Sequence, residues 1–242
     1  MRVAAKTDAG RIRLANEDCY YVGELPGGVA WAVICDGMGG AAGGDIASQT
    51  AANCVSDIIV NSYQEQMGSR SIRRLLITAL DNANLRVHDI SLANESLSGM
   101  GTTVVAAIVA DRKVFIAHAG DSRAYIFDGK KLTQLTKDHS LVQEMVDIGQ
   151  ITEDEARVHP RKNLITRVLG VYETLDVDYC EEEIPPGSML LICTDGLTDA
   201  LDLDEIAAIL REHYFADCAE VLVRRANENG GPDNITVVLV ES

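Results

Sequence analysis

Val29-Ala30-Trp31-Ala32-Val33-Ile34-Cys35-Asp36-Gly37-Met38-Gly39-Gly40 opens on an unbroken apolar run and closes on an acid followed by glycines. The apolar part, rich in β-branched side chains, predicts a strand over Val29–Cys35. Beyond the glycines, apolar residues recur at Ala47, Ala51, Cys54, Val55, Ile58 and Ile59. That is the period of an amphipathic helix, over Asp45–Val60. The glycine-rich run Gly37–Gly44 lets the chain turn from strand to helix, and Asp45 suits the helix N-terminus. The run fits neither the G-x-x-x-x-G-K-[ST] nor the G-x-G-x-x-G pattern, so a nucleotide cradle is disfavoured.

Working outward, a second helical period spans Ser71–Ile90, carried by Ile72, Leu75, Leu76, Ala79, Leu80, Ala83, Val87 and Ile90. Further strand-like runs lie at Cys19–Gly23, Thr102–Ala110, Val114–His118, Ala124–Phe127, Leu175–Glu183, Met189–Cys193 and Ile235–Val240. Phe127-Asp128-Gly129-Lys130 predicts a hairpin, because Asp-Gly suits a tight type I′ turn. Another helix pair is predicted at Asp202–Glu212 and Asp217–Asn229. The order is strands, two helices, strands, two helices, strand. Strict alternation is missing, which disfavours a parallel α/β sheet and predicts an α+β sandwich of antiparallel sheets covered by helix pairs. Polar, charged Lys137–Gly170 reads as a flap insertion over a site.

At 242 residues the chain is near the size where one core stops growing, so one domain with an inserted flap is expected. With 21 basic and 37 acidic residues the net charge is −16. That balance opposes binding to nucleic acid or to an anionic membrane. It fits either a solvated acidic surface or carboxylates gathered around hard cations. Cys19, Cys35, Cys54, Cys180, Cys193 and Cys218 form no C-x-x-C element, which removes zinc spacing. Cys35, Cys54 and Cys193 read as buried, reduced thiols, and the usage fits a reducing, cytoplasmic setting. The start of the sequence lacks a secretory apolar core. The longest apolar stretch, Val104–Ala110, is far short of the roughly 20 residues a bilayer requires.

Several acids sit where a strand-like run meets glycine: Asp36 before Gly37, Asp121 after Gly120 and Asp195 before Gly196. Asp233 precedes a strand instead, and Glu17-Asp18 lie near the N-terminus. A strand end fixes the direction of a carboxylate, and glycine leaves room beside it. Carboxylates converging on one point repel and are costly to bury unless divalent cations join them. Mg²⁺ and Mn²⁺ prefer such oxygen ligands. His118, in a strand-like run, and His139, in Thr136-Lys137-Asp138-His139-Ser140, read first as structural residues. Ser140 lacks a nucleophile elbow, which disfavours a serine-hydrolase triad.

Taken together, the motifs resemble the metal-dependent serine/threonine protein phosphatases, the PPM or type 2C family, in their compact bacterial form. The matching segments run in family order. They are Thr7-Asp8-Ala9-Gly10 with Arg13 and Asn16-Glu17-Asp18; Asp36-Gly37-Met38-Gly39-Gly40 with Gly43, Ala47 and Ser48; Gly101-Thr102-Thr103; Gly120-Asp121-Ser122-Arg123 with Tyr125; Leu135-Thr136 and Asp138-His139-Ser140; Thr194 to Asp199; and Asp233-Asn234-Ile235-Thr236. The resemblance implies a four-layer α-β-β-α sandwich of two antiparallel sheets. It implies that Asp36 bridges two Mn²⁺ or Mg²⁺ ions. Glu17 and the Gly37 carbonyl complete one site, Asp195 and Asp233 the other, and Asp18 acts nearby through water. Asp121, Asp195 and Asp199 resemble a third-metal site. Arg13 would hold the substrate phosphate, and Asn234 would orient Asp233 or a water. The implied reaction is direct attack on phosphoserine or phosphothreonine by a metal-bridging water. Animal members carry a histidine, proposed as general acid, where this chain has Met38. Proton delivery to the leaving group then falls to a metal-bound water, His139 or another group.

Two other readings compete. One is a catalytically impaired module that binds or regulates, which would be expected to lose metal acids that this chain keeps. The other is a two-metal nuclease or nucleotide hydrolase, which the charge opposes. Expected partners are phosphorylated proteins and, by family inference, a cognate serine/threonine kinase. Arg157, His159, Arg161, Lys162 and Arg167 make a candidate basic lip on the flap.

Overall fold

The computed structural model describes residues 1–39 and 43–241, so Gly40, with Ala41 and Ala42, lies outside the described part of the glycine run. The quoted stretch forms one long strand, Val29–Met38. It pairs antiparallel on one side with Asp18–Leu25 and on the other with Val104–Ala110. Its apolar run is continuous because both faces are buried. Trp31, Val33 and Cys35 point into one core, and Ala30, Ala32 and Ile34 into another.

In chain order the strands are β1 (Arg2–Asp8), β2 (Asp18–Leu25), β3 (Val29–Met38), β4 (Gly101–Thr102), β5 (Val104–Ala110), β6 (Lys113–Ala119), β7 (Arg123–Phe127), β8 (Leu132–Gln134), β9 (Asp178–Glu183), β10 (Met189–Cys193) and β11 (Ile235–Glu241). The helices are α1 (Gly44–Ser62), α2 (Ser69–Ala93), α3 (Leu141–Asp147), α4 (Glu153–Arg157), α5 (Asp195–Thr198), α6 (Leu203–Glu212) and α7 (Phe215–Glu228). One sheet runs β1-β11-β10-β7-β8 and the other β2-β3-β5-β6-β9, with β4 added beside β3. Every ladder is antiparallel.

Three apolar cores glue four layers. Helices α1 and α2 pack Ala51, Val55, Ile59, Leu76, Leu80 and Val87 against one sheet. Helices α6 and α7 pack Ile206, Leu210, Leu222 and Val223 against the other. Ile34, Val105, Ile116, Leu190, Ile192 and Val238 fill the space between the sheets. This is the expected α-β-β-α sandwich. At about 25 cal/mol per Å² of apolar surface removed from water, these interfaces supply the main driving force for folding.

Details differ from the sequence reading. Strands β1 and β8 escaped it. The hairpin after β7 exists, but Phe127 pairs with Leu132, so four residues form the loop rather than a two-residue turn. Asp128 Oδ1 accepts from the amides of Lys130 and Lys131, both at 2.9 Å, and Gly129 takes φ +88°. A side-chain cap thus organises the turn. Cys54 is half-buried rather than core, and all six cysteines are free.

The 137–170 stretch carries α3 and α4, each started by a hydroxyl cap, Ser140 and Thr152. The bridge Ser140↔Ile165 joins the two ends of the stretch to each other, and Thr102↔Leu169 ties it to the body. Among the described residues, no helix is long and apolar enough to cross a membrane.

Candidate metal centre

Asp18 and Asp36 face each other across β2 and β3. The Asp36 backbone is fixed from the neighbouring strand. Its N–H donates to Thr103 Oγ1 at 3.0 Å, and its carbonyl accepts from Thr103 N–H and Thr102 Oγ1, both at 2.8 Å. Gly37 follows for a steric reason: a Cβ there would stand 2.1 Å from the Gly44 carbonyl oxygen and 2.7 Å from that of Glu17. Gly44 is needed for the same kind of reason, since a Cβ would meet the Glu17 carboxylate at 2.7 Å. The Glu17 carboxylate therefore lies at the start of α1, where the helix dipole favours negative charge.

The other sheet delivers the remaining acids. Asp195 heads α5 directly after β10, and Asp233 precedes β11. Asp18 Oδ2 accepts from Thr236 Oγ1 at 2.6 Å and Thr194 Oγ1 at 2.9 Å, so one carboxylate links the two sheets. Asp121 is buried just beyond β6. Asp199 follows α5 and pairs with Lys162 of the flap at 2.6 Å. Arg13 Nη2 reaches Asp233 Oδ2 at 2.7 Å.

Electrostatically this is an expensive arrangement. Burial pushes the Asp18, Asp36, Asp121 and Asp195 carboxyls up from the usual range, and the charges of neighbouring acids push them further. Glu17 is raised as well, by burial first, although Arg13 pulls it down. Asp18 Oδ1, Asp121 Oδ1 and Asp195 Oδ1 are buried without a hydrogen-bond partner. Buried polar atoms are rarely left so. Oxygen donors with unused lone pairs and mutual repulsion are what a hard divalent cation satisfies, so the residues present fit Mn²⁺ or Mg²⁺.

A tighter cluster lies elsewhere. Among the described residues, His118, His139 and Asp178 form the one group of three whose ligand-type atoms all fall within 4.8 Å of one another. It is a poor metal site. The imidazoles stack with centroids 4.9 Å apart and planes 10° from parallel, so their in-plane lone pairs cannot converge. Arg167 adds positive charge, 3.0 Å from Asp178 Oδ1. His139 is instead structural: Nδ1 accepts from the Gly120 amide at 3.1 Å, and Nε2 lies 3.2 Å from Asp178 Oδ2. Burial lowers the proton affinity of both histidines, against the pull of Asp178.

Asn234 has a more specific use than expected. Its side-chain Nδ2 donates to the carbonyls of Ala9 and Ala15, each at 2.9 Å, and its Oδ1 accepts from the Glu17 amide at 2.8 Å. Only its backbone N–H meets Asp233, at Oδ1, 2.9 Å away. The residue clamps the 9–16 loop that presents Arg13. Sequence reasoning gave no role to Thr102, Thr103, Thr194 or Thr236, the hydroxyls that orient the acids. The usable signal was hydroxyl residues abutting motif acids, as in Thr194-Asp195.

Comparison with known proteins matches this geometry to a family. The family model described as Protein phosphatase 2C matches residues 11–239. The chain belongs to that family. It is 39% identical over 245 residues to the serine/threonine phosphatase Stp of Listeria monocytogenes serotype 4b, covering 100% of this chain and 96% of that protein. It superposes on the S. agalactiae serine/threonine phosphatase with TM-score 0.92 and 34% identity, covering 99% and 98% of the two chains. A solved catalytic domain of the phosphatase PstP, in complex with two manganese ions, aligns with TM-score 0.83 and 34% identity over 98% of this chain and 96% of that one.

Proposed function

We propose that this chain is an Mn²⁺/Mg²⁺-dependent phosphatase that hydrolyses phosphoserine and phosphothreonine in proteins. The observation that carries this reading is the set of buried, unpartnered oxygens on Asp18, Asp121 and Asp195. Asp36, Asp195 and Asp233, with Glu17 and the Gly37 carbonyl, would hold two ions, and Asp18 would act nearby through water. Asp121, Asp195 and Asp199 would hold a third. Bound divalent cations supply a water of lowered pKa and offset charge on the phosphoryl oxygens.

The chain's own residues do the rest. Arg13, exposed at the rim beside Asp233, presents a guanidinium fork suited to phosphate oxygens. Asn234 keeps that loop in place, and Thr194 and Thr236 keep Asp18 turned inward. Neither Met38 nor His139 is set to protonate the leaving group. Met38 has no acidic proton, and the buried His139 is committed to Gly120 and Asp178. Substrates with good leaving groups, such as aryl phosphates, should therefore react fastest.

Residues 1–242 act in this reading as one catalytic domain with a flap at 137–170. Two residues of the basic lip already pair with acids, Lys162 with Asp199 and Arg167 with Asp178. Arg157 and Arg161 are left to guide a phosphorylated segment. A cognate serine/threonine kinase supplies the substrates, and a cytoplasmic setting suits the six free cysteines.

The test is hydrolysis of a phosphothreonine peptide and an aryl phosphate before and after chelation. Both activities should vanish with chelator and return with Mn²⁺. Asp36→Ala should abolish both in a folded protein, and near-normal turnover by that variant would remove the reading.

A further inference from the structure

Arg11-Ile12-Arg13-Leu14 is exposed throughout, although it borders the centre. Ile12 is 69% exposed and Leu14 fully so. Neither belongs to any of the three apolar cores. Single exposed apolar residues are common, but two flanking the arginine beside Asp233 are placed, not scattered.

Their loop is also held firmly. Gly10 N–H donates to Asp8 Oδ1 at 2.9 Å, and Arg11 N–H to the Gly231 carbonyl at 2.8 Å. Asn234 binds the Ala9 and Ala15 carbonyls, and Asn16 Nδ2 donates to Thr7 Oγ1 at 2.8 Å. Gly10 sits at φ +81°, where a Cβ would be 2.2 Å from the Asp233 carbonyl oxygen. Both ends of the loop are pinned, so the side chains at its tip are presented with little backbone entropy left to lose on binding. Arg11 has no ion-pair partner among the described residues, so the tip offers free positive charge beside apolar surface.

We propose that Ile12 and Leu14 determine substrate specificity: they receive apolar side chains within two positions of the phosphorylated residue, while Arg13 takes the phosphate. Ile12 and Leu14 are the immediate neighbours of Arg13 in this exposed turn, and successive residues of an extended peptide advance by about 3.3–3.6 Å, so the residues beside the phosphorylated one stay close to the tip. The inference rests on the phosphatase reading and names its substrate class, phosphopeptides with apolar flanks.

The experiment compares two phosphothreonine peptides in one enzyme preparation with Mn²⁺. One has leucine on both sides of the phosphothreonine, the other serine. The native chain should favour the leucine peptide about tenfold in kcat/KM, chiefly through KM, the size a few apolar contacts give. In the double variant Ile12→Ser, Leu14→Ser that ratio should fall to about one. Aryl phosphate turnover by the same preparation reports whether the centre is assembled. Equal rates on both peptides by the native chain, or an unchanged ratio in the variant, would overturn the inference alone. Failure to hydrolyse either peptide would remove the phosphatase reading and this inference with it.

Discussion

Two arginine–aspartate pairs in this molecule have the same chemistry and opposite surroundings. Arg123 and Asp138 are 30% and 10% exposed, and the guanidinium makes contacts of 2.6 to 3.0 Å to both carboxylate oxygens. Burial works against the Arg123 charge, but Asp138 more than offsets it, and the guanidinium holds its proton more tightly than usual. Arg13 and Asp233 are 53% and 30% exposed and share one contact of 2.7 Å. The first pair is a joint: it fastens β7 to the start of the flap and leaves neither partner free. The second is an open contact at the rim, made through one guanidinium nitrogen. Burial and the number of bonds, rather than the pairing itself, separate architecture from chemistry.

That contrast can be broken by mutation. The largest effect expected is from Arg123→Ala, which strands a buried carboxylate and should cost about 3–5 kcal/mol in denaturant unfolding. A loss under about 1 kcal/mol would mean that the pair is not a joint. Arg13→Ala should leave stability within about 1 kcal/mol, as exposed pairs do, yet lower kcat/KM on a phosphopeptide about 100-fold. Matching losses of stability in the two variants would erase the distinction. The lysine replacements sharpen it. Arg123→Lys keeps the charge but loses the fork and should cost about 1.5 kcal/mol, while Arg13→Lys should retain more activity than Arg13→Ala. The smallest effect is ionic strength. Raising salt to about 1 M shortens the screening length to about 3 Å. KM for phosphopeptide should rise severalfold, while the unfolding cost of Arg123→Ala stays within about 0.5 kcal/mol.

The same logic explains what could be read from the sequence. Strands buried on both faces, such as β3, β5 and β10, leave continuous apolar runs. Those runs were legible, as were the four long helices with their 3.6-residue period. The strands that escaped notice, β1 and β8, are the two edges of one sheet, and neither has a fully buried residue. An edge strand is specified by its neighbour, so its own sequence carries little imprint. The acids were legible because a strand end, a carboxylate and a glycine make a pattern. The threonines that orient Asp18 were not, because Thr194 and Thr236 converge on it from positions 176 and 218 residues away. The clamp by Asn234 was hidden for the same reason: its partners lie 225 and 219 residues distant.

The pairing of β1 with β11, which aligns Arg2 with Glu241, has a consequence for how the molecule is made. A ribosome delivers residues 2–8 long before residues 235–241, so β1 must wait more than 200 residues before its ladder exists. Glu17 and Asp36 wait likewise for Asp195 and Asp233. The helical pair α1–α2 and its sheet can condense early, but the acids from the two sheets come together only once residue 233 has been made. A nascent chain is thereby kept silent by its own topology, without an inhibitor.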